Sequence, residues 1–83
     1  MGLNVVFRET ALRTLARIRD EDGDFFARAR RAIAALPANP RPDGAVPWGT
    51  TGIYRLHAGE MRILYEIDED AAAIYIINIA QLP

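Results

Sequence analysis

The sequence predicts an α+β fold, with a helical hairpin packed on one face of a mainly antiparallel four-stranded sheet in the order β-α-α-β-β-β. Three observations lead there: apolar residues recur at helical spacing between Ala11 and Leu36, the period drops to two from Ile53 onward, and a stretch with Pro37, Pro40, Pro42 and Pro47 separates the two regimes. With 83 residues, 51% hydrophobic and 25% charged, the chain has the composition of one globular domain over residues 1–83. A chain of this size hides only roughly 60 to 65% of the surface its unfolded form exposes. It has no cysteine to brace it, so it depends on one compact core or on a partner.

Leu3 to Phe7 is β-prone through Val5, Val6 and Phe7, and it stops at Arg8-Glu9-Thr10. Ala11, Leu15 and Ile18 then fall at i, i+4 and i+7 with Leu12 alongside, an apolar stripe flanked by Arg13, Arg17 and Arg19. Asp20-Glu21-Asp22-Gly23-Asp24 is expected to break that helix and to place acids where the dipole of the next one favours negative charge. The second helix is expected from about residue 24 to residue 36, with Phe25, Ala29, Ile33 and Leu36 as its stripe and Phe26 widening it. The Pro-rich segment that follows also holds Asn39, Gly44, Gly49 and Gly52. It reads as a loop long enough to be functional or ordered by a partner. Trp48 within it is expected to cover the edge of the core, with a role as a stacking platform for a base as the alternative. Ile53 to Ala58, Met61 to Ile67 and Ala72 to Ala80 read as strands, the last with Ile74 to Ile79 buried on both faces.

Composition excludes several chemistries. Without cysteine and with His57 as the lone histidine, thiolate zinc sites, redox motifs and cysteine nucleophiles are ruled out. No cofactor and no metal are expected. The start Met1-Gly2-Leu3-Asn4 lacks the marks of a secretory leader, and no apolar run approaches the ~20 residues that span a bilayer, so a cytoplasmic protein with no membrane partner is expected. All ten positive charges are arginine; residues 1–31 carry seven against five acids, and residues 32–83 carry three against six.

Gly59-Glu60 has the composition of a two-residue type II′ hairpin turn. That turn would set Ala58 opposite Met61, His57 opposite Arg62 and Arg55 opposite Leu64. Arg55, His57 and Arg62 would then share one face of the sheet, while Tyr54, Leu56, Ile63, Tyr65 and Ile67 point to the other, where the helices can cover them. Three nitrogen-rich side chains held together repel one another unless an anion such as a phosphate or carboxylate visits them. The plainer alternative is a solvent-facing histidine with arginines paired to Glu60 or Glu66.

The stretch from Gly52 to Ile67, with its Tyr-Arg-Leu-x-x-Gly-x-x-Arg-Ile-Leu-Tyr-Glu-Ile pattern, an acidic turn and an isoleucine-rich strand after it, resembles the RelE/ParE superfamily of bacterial toxins. The resemblance extends over nearly the whole chain in element order. It implies the toxin of a type II toxin–antitoxin system with a cognate antitoxin protein as partner. RelE-type members cut mRNA on the ribosome and ParE-type members poison DNA gyrase. By position, Arg55 and His57 stand where RelE-type toxins carry basic residues, and Arg62 where they carry a phosphate-binding arginine. These three are the expected catalytic residues of an endoribonuclease, with Arg55 and Arg62 binding RNA phosphate. Family members usually continue into a Gly-x-Arg segment and a tail with a catalytic Tyr or His, whereas this chain reads Ile79-Ala80-Gln81-Leu82-Pro83. The expectation is therefore a weakened mRNA endonuclease that meets ribosome and mRNA. The alternatives are a member acting by antitoxin binding and operon regulation and, behind it, a gyrase poison.

Overall fold

The computed structural model describes residues 2–82; expectations that rest on Met1 or Pro83 lie outside them. The elements are β1 (Asn4–Phe7), α1 (Glu9–Glu21), α2 (Gly23–Ala35), β2 (Ala45–Pro47), β3 (Ile53–Ala58), β4 (Met61–Asp68) and β5 (Ala73–Gln81). The strands form one sheet in the order β1-β5-β4-β3-β2, with β1 parallel to β5 and every other pair antiparallel. This is the expected α+β architecture with five strands instead of four. The added strand, β2, lies inside the Pro-rich segment, and it exists there because an edge strand needs donors on one side only. The ladder is closed by the His57 N–H to Gly44 O and the Trp48 N–H to Ile53 O, each 2.9 Å, while Pro47 between them donates nothing.

The two helices are closer-coupled than the acidic segment suggests. α1 continues through Asp20 and Glu21, and Asp22 alone separates it from α2. Asp22 is extended (φ −152°, ψ 87°), its N–H still donates to Ile18 O at 2.7 Å, and its carboxylate accepts the Phe25 N–H at 3.1 Å. One residue thus ends the first helix and caps the second. The hydrogen bond from Phe25, followed by one from the Gln81 side chain, holds the Asp22 carboxyl below its ordinary range. Gly23 is the first residue of α2 and not a turn glycine.

The stripes predicted for the helices meet the sheet. Ala11, Ile18, Phe25, Ala29, Ile33 and Leu36 are buried against Leu56, Met61, Ile63, Tyr65, Ile67, Ile74, Ile76 and Ile79. Burial of each large apolar side chain contributes about 1.5 to 3 kcal/mol. Leu12 stays out of this core at 52% exposure. Tyr65 lies within it and still satisfies its hydroxyl, which donates to Pro40 O at 2.6 Å and so ties the Pro-rich segment to β4. Burial, then the neighbouring Tyr54, pushes the Tyr65 phenol up to about 12. The two rings stack at 5.9 Å between centroids.

β5 is central, but it is not buried on both faces as its isoleucine run suggests. Tyr65 pairs with Ile76 and Leu64 with Asn78, so Ile77 is an extra residue on β5, a β-bulge. Before the bulge Ile74 and Ile76 face the helices; after it Ile79 does, and Asn78 is exposed on the opposite face. Tyr75, also on the open face, is only partly buried and lies under the Arg8 guanidinium, 4.1 Å from its ring centroid.

Candidate functional site

The β3–β4 hairpin turns as predicted. Gly59 has φ 62°, the positive value that the first central position of a type II′ turn requires, and Glu60 is not among the residues with positive φ. The register is the one the turn dictates: Ala58 opposite Met61, His57 opposite Arg62, Arg55 opposite Leu64. Arg55, His57 and Arg62 therefore converge on the face that the helices leave uncovered. Together with Trp48, Leu64, Asn78, Ala80 and Leu82 they line a cavity of about 440 Å³.

Each charged group is held. The Arg55 Nε–H donates to His57 Nε2 at 2.9 Å, which makes Nε2 the acceptor and puts the proton of the neutral ring on Nδ1. Arg62 Nη1 donates to the carbonyls of Gly59 (2.8 Å) and Met61 (2.9 Å), so the turn itself orients that guanidinium. Partial loss of water, then the charges of Arg62 and Arg55, push His57 below its ordinary value, and the imidazole is neutral at pH 7.

Among the described residues neither Arg55 nor Arg62 forms an ion pair. Glu60 is 2.7 Å from Arg28 instead, and Glu69 is 3.7 Å from Arg41. The plainer alternative of site arginines paired to Glu60 is thus not what the fold builds. Two cations beside a neutral imidazole leave an electrostatic vacancy suited to an anion. Tyr54 and Tyr65 offer no proton to this face, because they alternate to the other side of the sheet, where the Tyr65 hydroxyl donates to Pro40 O at 2.6 Å and the Tyr54 hydroxyl accepts from Arg41 Nε at 2.9 Å. No cluster of three or more His, Asp or Glu fit to hold a metal occurs among the described residues.

Trp48 corrects an expectation. It does not cover the core edge; it is 46% exposed, lines the cavity, and lies under the Arg55 guanidinium at 3.7 Å from its ring centroid. Sequence reasoning also passed over Asn78, which the bulge at Ile77 aims to the open face. The only signals were local: a short β-prone pair, Ala45-Val46, before Pro47, and a polar residue interrupting the isoleucine run.

A helical hairpin packed on one face of a mixed five-stranded sheet is the architecture of the small α+β toxins grouped as the RelE/ParE superfamily. By sequence, residues 5–81 match the ParE toxin family of type II toxin–antitoxin systems, parDE. The chain belongs to that family. A search of curated proteins found no match.

Solved structures share its fold. The toxin–antitoxin complex RelBE2 from Mycobacterium tuberculosis superposes with a TM-score of 0.81 at 21% identity, covering 98% of this chain and 99% of that one. The isolated RelE toxin of E. coli gives 0.82 at 13% identity, with 98% and 85% covered. A YoeB/ParE toxin from Agrobacterium tumefaciens gives 0.82 at 13% identity, with 98% and 100% covered. Among the described residues no helix is long and apolar enough to cross a membrane.

Proposed function

We propose that this toxin cleaves mRNA on the ribosome in the manner of RelE-type toxins, acting in the cytoplasm and held in check by a cognate antitoxin. The observation that carries the reading is the neutral His57 set between two arginines that have no acidic partner among the described residues. In such a cleavage the ribose 2′-oxygen attacks the adjacent phosphorus, the bond to the 5′-oxygen breaks, and a cyclic phosphate and a 5′-hydroxyl result. Arg62 and Arg55 suit the charge that develops on the phosphorane oxygens, and their high pKa disqualifies them from proton transfer. His57 takes the 2′-proton on Nε2 once Arg55 turns its N–H from the ring to the phosphate. The leaving oxygen then draws its proton from outside this cavity, which is why the ribosome is part of the reading. Solved relatives from M. tuberculosis, E. coli and Pyrococcus horikoshii are complexes of a RelE toxin with its RelB antitoxin, which supports a partner of that kind here.

A second reading, gyrase poisoning, is favoured by the ParE description of the family matched over residues 5–81. A third, binding without cutting, is favoured by His57 being the one proton-transfer group among the described residues that line the cavity. Toeprinting on programmed ribosomes separates them. Cleavage by the unaltered chain that falls about a hundredfold in Arg62→Ala is expected, the scale of one lost transition-state contact. Cleavage indifferent to Arg62 removes this face as the catalytic site. Absence of cleavage, together with trapping of purified gyrase on DNA, transfers the function to the second reading.

A further inference from the structure

The cavity on the open face is larger and less polar than an anion needs. Arg62 and His57 can account for a phosphate, but Trp48, Leu64 and Leu82 build an apolar wall beside them. Solvent-exposed apolar surface next to fixed cations fits a ligand that joins an anion to a flat apolar body. Trp48 is the part of that wall placed most deliberately. Its backbone N–H is tied to Ile53 O at 2.9 Å and the strand before it is anchored by the His57 backbone N–H to Gly44 O at 2.9 Å, so the ring is carried on a fixed backbone. With the Arg55 guanidinium over one face at 3.7 Å and 46% of the residue still exposed, indole and guanidinium together present stacked planar surfaces. Nucleobases stack on both kinds of surface. Across the cavity, the Asn78 amide offers a donor and an acceptor to a base edge.

We propose that Trp48 and Arg55 form a stacked platform that receives a nucleobase beside the phosphate held at Arg62, so that this face binds a nucleotide and not merely a phosphodiester. The proposal rests on the RNA reading above and specifies which part of the nucleotide each wall takes.

Trp48 is the only tryptophan in the chain, and its emission reports directly on stacking. The full chain, without ribosomes, is titrated with inorganic phosphate, ribose 5-phosphate and adenosine 5′-monophosphate by fluorescence and calorimetry. The mononucleotide is expected to bind about tenfold tighter than ribose 5-phosphate, in keeping with one stacked base, and it alone quenches Trp48. By calorimetry Trp48→Ala abolishes the preference, the mononucleotide falling to the affinity that ribose 5-phosphate has for the same variant, while Trp48→Phe keeps most of it. Equal affinity for the two ligands, no mononucleotide binding, or an equal loss for both in Trp48→Ala overturns the platform. Discrimination without any ribosomal cleavage leaves the platform standing and defeats the nuclease; cleavage without discrimination does the reverse.

Discussion

Replacing Tyr65 with phenylalanine removes one oxygen atom and tests how the Pro-rich segment is held. The ring remains in a fully buried position, so no cavity opens. What is lost is the 2.6 Å hydrogen bond to Pro40 O, leaving that carbonyl without its partner in a partly buried place. A net hydrogen bond of this kind contributes about 1 kcal/mol and a stranded acceptor adds to the cost, so Tyr65→Phe should lose about 1 to 2 kcal/mol. For a domain of this size that is a fall of roughly 4 to 16 °C in Tm, readable by thermal or urea unfolding. The same variant carries a pH signature. The folded phenol titrates at about 12 against an ordinary value of 10.0, so its contribution is complete below pH 10 and is lost as pH rises toward 12. The stability difference between the unaltered chain and Tyr65→Phe should therefore shrink over that window. Equal stability of the two at pH 7, or a difference that does not change between pH 10 and 12, would refute the reasoning.

Three further outcomes are expected. The His57 titration followed by NMR should have its midpoint below 6.5 and move up in Arg62→Ala; since the folded value is the lower one, its contribution to stability is present above pH 6.5 and lost as pH falls through the folded midpoint. Gly44→Ala should destabilise by about 2 kcal/mol or more and shift Trp48 emission, because Gly44 has φ 91° and a Cβ there would overlap the His57 carbonyl oxygen. Ala72→Gly should stabilise by about 0.5 to 1 kcal/mol in urea unfolding: Ala72 has φ 52°, and relief of that strain exceeds the entropy glycine adds to the unfolded chain.

The hairpin and its face were legible because Gly59 pins the turn and the turn pins the register; from there the grouping of Arg55, His57 and Arg62 is arithmetic with a period of two. The helix stripes were legible for the same reason at 3.6, and Phe25, Ala29, Ile33 and Leu36 are all buried. The bulge was not legible, since the run Ile74 to Ile79 looks uniformly apolar, and only pairing with β4 shows that Ile77 is the residue out of step. Nor was Trp48. Its position depends on β2, a strand of three residues ending in proline, whose existence is decided by the free edge of β3 and not by its own propensity.

The open face draws on β3, β4 and β5 and on Trp48 just beyond β2. Of these, β5 is made last and yet sits in the middle of the sheet, inserted between β1 and β4 and parallel to the first strand of the chain. During synthesis a hairpin of β3 and β4 can form early, but it lacks its Asn78 wall and has a bare edge where β5 belongs. The most distant pairing in sequence, β1 with β5, is also the slowest kind to close. The cations of β3 and β4 thus gain the wall that makes their face a cavity only when the last of these strands has paired with both β1 and β4, so the two ends of the described chain must meet before the face is whole.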